Sequence, residues 1–139
     1  MPSIHYQRLA SELLPLANKF YKSQRSPMRV GRSEQVWVAQ QAGIIAACCL
    51  KPVADGHWLT ALLVAREQRQ QGIASQLLNE LRAHSQGPIW LFCAPELLSF
   101  YQRLGFAPCP ALPAELTERL LRYQRKQPLL ALASPPQCG

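Results

Sequence analysis

The stretch Leu62-Leu63-Val64-Ala65-Arg66-Glu67-Gln68-Arg69-Gln70-Gln71-Gly72-Ile73-Ala74-Ser75 carries the reading of this chain. An apolar run passes through a polar, basic link into a segment where Ile73, Ala74, Leu77, Leu78 and Leu81 recur at helical spacing. The spacing predicts a buried strand, a short loop and a helix that opens at a glycine. First-turn N–H groups of a helix have no intrahelical partner and sit at the positive end of its dipole. Such a terminus binds phosphate readily. Gly72 and Ala74 are small, so a ligand can reach the backbone there without meeting side chains. Arg69 can add a charge-assisted bond to the same anion. A well-capped structural helix has the same appearance, so this segment alone leaves both readings open. Neither G-x-x-x-x-G-K-[ST] nor G-x-G-x-x-G is present, since the segment holds a single glycine.

Working outward, residues 11–22 space Leu13, Leu14, Leu16, Ala17, Phe20 and Tyr21 as an amphipathic helix. Ser11 is its candidate N-cap, and Pro15 is acceptable only in its first turn. Residues 23–34 read as a polar, basic loop. Two β-like runs, 35–39 and 43–50, are joined by the short hairpin connection 40–42. A third run, 57–64, has the apolar continuity of a strand buried on both faces. The helix opening at Gly72 ends near Gln86-Gly87-Pro88, and 89–93 is a short buried strand. Pro95 suits the first turn of a helix that continues to the natural C-cap Gly105. A helix over 114–126 and a strand over 128–133 complete the chain. The alternation predicts a mixed α/β sheet with helices on both faces.

At 139 residues the chain is one domain, 1–133, followed by a frayed tail, 134–139. Its 48% hydrophobic content excludes a disordered protein. No apolar run approaches the ~20 residues that span a bilayer, and no secretory signal is visible at the N-terminus. A cytoplasmic protein without a membrane partner is expected. The net charge of +7 favours an anionic partner. The cations are dispersed and not interleaved with aromatics, so nucleic-acid binding ranks last among the readings. Five cysteines show no C-x-x-C pair, and the three histidines do not cluster with them at zinc spacing. Neither a disulfide framework nor a metal is expected. Trp37, Trp58 and Trp90 read as core residues.

Two segments together resemble a known family. Arg69-Gln70-Gln71-Gly72-Ile73-Ala74 is similar to the [Q/R]-x-x-G-x-[G/A] signature of the GNAT superfamily of acyl-CoA-dependent N-acyltransferases. Phe100-Tyr101-Gln102-Arg103-Leu104-Gly105-Phe106 resembles its F-Y-x-x-L-G-F segment. The resemblance covers 57–107 and implies a mostly antiparallel sheet splayed between its fourth and fifth strands. Backbone groups of Leu62, Leu63 and Val64 would then hold the pantetheine arm and polarise the thioester carbonyl. The turn through Arg69, Gln70, Gln71, Gly72, Ile73, Ala74 and Ser75 would hold the pyrophosphate of acetyl-CoA, the acyl donor. Tyr101 matches the tyrosine that commonly protonates the departing thiolate.

The chain departs from the family pattern at several positions. Gln70 stands where many members have glycine, Arg66 where proline is frequent, and Ala94 where many place an asparagine that contacts the cofactor. The resemblance implies transfer of an acetyl group to a primary amine, on a small molecule or a protein. For the general base, His57, acting directly or through water, stays open beside Glu67, Glu96 and release to solvent. Tyr21, Arg25, Met28 and Arg29 occupy the region that shapes the acceptor pocket in relatives. A homodimer would be ordinary for such a fold. The rival reading is a non-catalytic acyl-CoA-binding regulator that acts through a protein partner.

Overall fold

The computed structural model describes residues 3–31 and 33–134. In chain order the elements are β1 (His5–Arg8), a 3₁₀ turn (Ser11–Leu13), α1 (Leu14–Ser23), β2 (Gln35–Gln40), β3 (Ile44–Val53) and β4 (Gly56–Val64). A second 3₁₀ turn (Arg66–Gln68), α2 (Ile73–Ala83), β5 (Ile89–Cys93) and a third 3₁₀ turn (Pro95–Leu97) come next. The chain closes with α3 (Leu98–Arg103), β6 (Ala107–Pro108), α4 (Ala114–Gln124) and β7 (Leu130–Ser134). Ser134, expected in the tail, is instead a buried residue of β7. The remainder of that expected tail lies outside the described residues. None of the described helices is long and apolar enough to cross a membrane.

The chain forms two compact units, one of residues up to Lys51 with Leu59–Ser85, the other of Pro52–Trp58 with the residues from Gln86 onward. In the first unit the strands follow one another as β1-β2-β3-β4. β1 and β2 are antiparallel, with Tyr6 opposite Ala39; β2 and β3 are antiparallel, with Trp37 opposite Cys48. β1 escapes a reading of the sequence because its side chains are mostly exposed and show no apolar alternation; only its backbone pairing makes it a strand. α1 buries Ala17, Phe20 and Tyr21, and α2 buries Ile73, Leu77, Leu78 and Leu81. The α1 face joins Leu9, Val36, Val38, Ala47 and Cys49 in one core cluster. Pro15 falls in the first turn of α1, as its missing N–H requires. Ser11 caps nothing: it opens the preceding 3₁₀ turn, and Ala10 stands at the cap position without a side-chain bond.

In the second unit the opening of β4 runs parallel to β5, His57 opposite Ile89 and Trp58 opposite Trp90. β5 and β7 are antiparallel over Ile89↔Ser134 to Cys93↔Leu130, and the two-residue β6 adds to β7. Val53, Trp58, Trp90, Cys109, Leu116 and Ala133 form the core here, with the Arg119 guanidinium 4.7 Å from the Trp58 ring centroid. All three tryptophans are core residues, as their strand positions suggested. Cys48, Cys49 and Cys93 are free and buried. Cys109 is disulfide-bonded, where the odd cysteine count and the absence of a C-x-x-C pair gave no reason to expect a disulfide framework.

β4 is fully buried only at Gly56, Trp58 and Leu59; Thr60 to Val64 are half-buried. The expectation of a strand covered on both faces therefore holds for its first half alone. At Gly56 a Cβ would run into the carbonyl oxygen of Pro88, the same oxygen that accepts the His57 N–H at 3.0 Å. That backbone-to-backbone approach seats the β4–β5 pair and leaves no room to relax. Gly56→Ala should destabilise the protein by about 1–3 kcal/mol, the range for overpacking, read as a lower urea midpoint. An unchanged midpoint would show that the approach is soft.

Candidate active site

Local chain chemistry builds the candidate residues of the first unit. β4 ends at Val64, and the 3₁₀ turn Arg66–Gln68 carries the chain to an exposed corner. Gln70 and Gly72 both adopt left-handed backbone, with φ of 64° and 76°. A side chain in that region costs about 1–2 kcal/mol, so the glycine found at position 70 in relatives of similar motif has a conformational reason. Gly72 is the N-cap of α2, and no side chain caps the helix. Gln76 N–H donates to the Gly72 carbonyl at 3.0 Å, which begins the helical ladder. The N–H groups of Ile73, Ala74 and Ser75 precede that ladder and, with Gly72 N–H, have no hydrogen-bond partner among the described residues. Ile73 turns its side chain into the core, Ala74 and Ser75 are half-buried, and Gln71 is exposed. A Cβ at Gly72 would meet nothing within 4 Å. The corner is thus a set of open amides with no side chain in front of Gly72, the arrangement that binds an anion.

Arg69 is exposed, and its Nε donates to the Val64 carbonyl at 3.1 Å. The bond holds the guanidinium beside the corner and engages one backbone group that the sequence alone leaves wholly free. Leu62, Leu63 and Val64 are half-buried along β4. Just before them Ala61 takes a φ of 56°, a left-handed residue inside a strand. Tyr21, expected in the acceptor region, is fully buried, and its hydroxyl donates to the Ala61 carbonyl at 2.7 Å. The only sequence signal for this break is a small residue in a run of bulkier ones. A cavity of about 430 Å³ is lined by Ser23, Gln24, Arg25, Arg66 and Glu67, and Arg66 N–H donates to Gln24 Oε1 at 3.1 Å.

The second unit holds the other two residues. Tyr101 is half-buried on α3, its ring centroid 5.0 Å from Phe100 and 6.0 Å from Phe106. Its carbonyl accepts the N–H groups of Leu104 and Phe106, both at 3.0 Å; the helix is capped at Leu104, one residue before the expected Gly105, which follows in left-handed backbone. His57 is half-buried at the start of β4, and its Nδ1 has no hydrogen-bond partner among the described residues. Burial pushes its imidazole below the ordinary histidine range, with the backbone of Gln86 acting in the opposite direction. Glu67 and Glu96 are exposed on 3₁₀ turns. The structure gathers Leu62 to Ser75 in one unit and places His57 and Tyr101 in the other.

A family model for the acetyltransferase (GNAT) domain matches residues 32–108. No curated protein matches the sequence. In fold the chain is similar to Escherichia coli ElaA, with a TM-score of 0.67 at 15% identity, covering 94% of this chain and 99% of that one. It is also similar to Tetrahymena GCN5, with a TM-score of 0.69 at 12% identity over 93% and 94% of the two chains. Arabidopsis thaliana Naa50, solved with the bisubstrate analogue CoA-Ac-MVNAL, gives 0.66 at 17% identity over 95% and 98%.

The two left-handed residues separate strain from packing. Gly72→Ala should lower stability by about 1 kcal/mol, from backbone strain alone, while Gln70→Gly should leave it unchanged or raised. Urea denaturation of both variants checks this. A large loss from Gln70→Gly would mean that the glutamine side chain holds the corner together.

Proposed function

Because the chain belongs to the GNAT acetyltransferase family, we propose that this acyltransferase moves an acetyl group from acetyl-CoA to a primary amine by direct attack on the thioester. The observation that carries the reading is the uncapped start of α2, where four consecutive amides from Gly72 to Ser75 stand open behind the left-handed Gln70 and Gly72. A diphosphate supplies the acceptors those amides lack. Arg69, tethered at the corner, adds charge. The matched range, 32–108, runs through both compact units, which supports reading 1–133 as one functional domain.

Amide formation needs a neutral amine held against the thioester, stabilisation of the charge that grows on its oxygen, and a proton for the departing sulfur. Backbone groups of Leu62, Leu63 and Val64 receive the pantetheine arm and the acyl oxygen. As the new C–N bond forms and the C–S bond breaks, Tyr101 delivers its phenolic proton to the thiolate. A phenol of pKa ~10 is matched to that task against a thiol of ~8.5. The ammonium-like proton of the attacking amine leaves to a base. His57 is the residue we assign to that role, burial favouring its uncharged form. It takes the proton directly or through water. No nucleophilic side chain is needed.

Saturating acetyl-CoA should raise the melting temperature by several degrees, and an amine panel read by free-thiol release should find an acceptor. Tyr101→Phe should lower turnover about tenfold or more with acetyl-CoA affinity nearly unchanged. Unchanged turnover would remove the acid role from Tyr101. Binding without thiol release from any amine would favour a regulator acting through a protein partner.

A further inference from the structure

We propose that Tyr21 is a positioning residue for acyl transfer: its hydroxyl holds the Ala61 carbonyl, and through it the backbone break that sets the direction of Leu62, Leu63 and Val64. The proposal rests on the reading of those three residues as the contact for the thioester and the pantetheine arm.

The geometry is specific. Tyr21 is 0% exposed, and a phenol in a dry core must find an acceptor. It takes the Ala61 carbonyl at 2.7 Å, with Cys49 Sγ as a weaker neighbour at 3.8 Å. Its ring is packed against Phe20, centroids 5.8 Å apart, in the cluster with Leu9, Val36 and Val38. The end of α1 is fastened in turn: Ser26 N–H donates to the Tyr21 carbonyl at 3.0 Å, and Ser23 Oγ to the Phe20 carbonyl at 2.6 Å. The hydroxyl is therefore presented from a rigid base.

Ala61 is the part in need of a tether. Its left-handed φ of 56° is one that alanine rarely adopts, and it has no polar side chain to support the conformation locally. In a regular strand, backbone groups alternate in direction from residue to residue. One left-handed residue interrupts that alternation and re-aims the groups that follow, as strand irregularities beside active sites commonly do. The Tyr21 bond gives the Ala61 carbonyl a buried partner in that one arrangement. Burial drives the Tyr21 phenol far above the tyrosine range, and the Cys49 thiol is pushed up to about 12, so both remain neutral. Tyr21 acts as a fixed donor and not as an acid or base.

The test removes one oxygen. Tyr21→Phe should lower kcat at least tenfold while coenzyme A affinity falls by a clearly smaller factor, because the pantetheine contact is disturbed but the diphosphate corner is untouched. Amide hydrogen exchange at Leu62 and Leu63 should become at least tenfold faster. Adding Ala61→Gly to Tyr21→Phe should restore kcat at least threefold, since glycine holds a positive φ without a tether. The proposal is overturned if Tyr21→Phe keeps kcat within twofold, or if exchange rises uniformly across the unit and coenzyme A binding falls with kcat. A Tyr21→Phe protein that does not fold, and that Ala61→Gly does not rescue, equally assigns the hydroxyl to stability alone. If the unsubstituted protein releases no thiol with any amine, the transferase reading fails by itself, and the exchange comparison still decides the role of Tyr21.

Discussion

The structure turns on a helix that begins without a cap. Most helix starts use a serine, threonine or aspartate side chain to satisfy their first amides, whereas α2 begins at a left-handed glycine and leaves those of Gly72 to Ser75 open. The strain taken up at Gln70 and the loss of a cap both lower stability. They persist because Ile73, Leu77, Leu78 and Leu81 anchor the helix through its buried face. Such local cost offset by surrounding packing is the usual mark of a functional corner. It also joins fold to charge: a chain of net charge +7, with Arg69 fixed at this corner, suits a donor that carries several phosphates.

A second constraint runs beside it along β4. The strand is buried at its start and half-open toward its end, and the left-handed Ala61 lies within that half-open stretch. The apolar run 61–64 is only half-buried by the chain, the stretch to which the proposed function assigns the pantetheine arm. The core cluster behind it, with Tyr21 at the centre, gives that segment a rigid back wall. Open amides at the corner and a re-aimed strand leading into it are two parts of one continuous segment, 61–75.

Much of this was legible in the sequence, and the reasons it was or was not are physical. β5 over Ile89–Cys93 and the helical face of α2 could be read because burial imposes a pattern on side chains. β1 and β6 could not, since a four-residue solvent-facing strand and a two-residue one are held by backbone bonds that leave no side-chain signature. The helix start at Gly72 was readable because a glycine stands between a polar link and a run of helical spacing, and the structure puts that glycine in left-handed backbone at the head of α2. The bond from Tyr21 to the Ala61 carbonyl was not, because helix spacing marks Tyr21 as a core residue and nothing in the spacing says where its hydroxyl ends. The break at Ala61 was equally hidden, because alanine is a residue that normally avoids that conformation.

The most direct measurement is an amide ¹H–¹⁵N titration of the protein with coenzyme A. The account predicts that the largest shifts fall on Gly72, Ile73, Ala74 and Ser75, with Leu62 to Val64 following. Binding that leaves those four amides unmoved, or no binding at all, would contradict it.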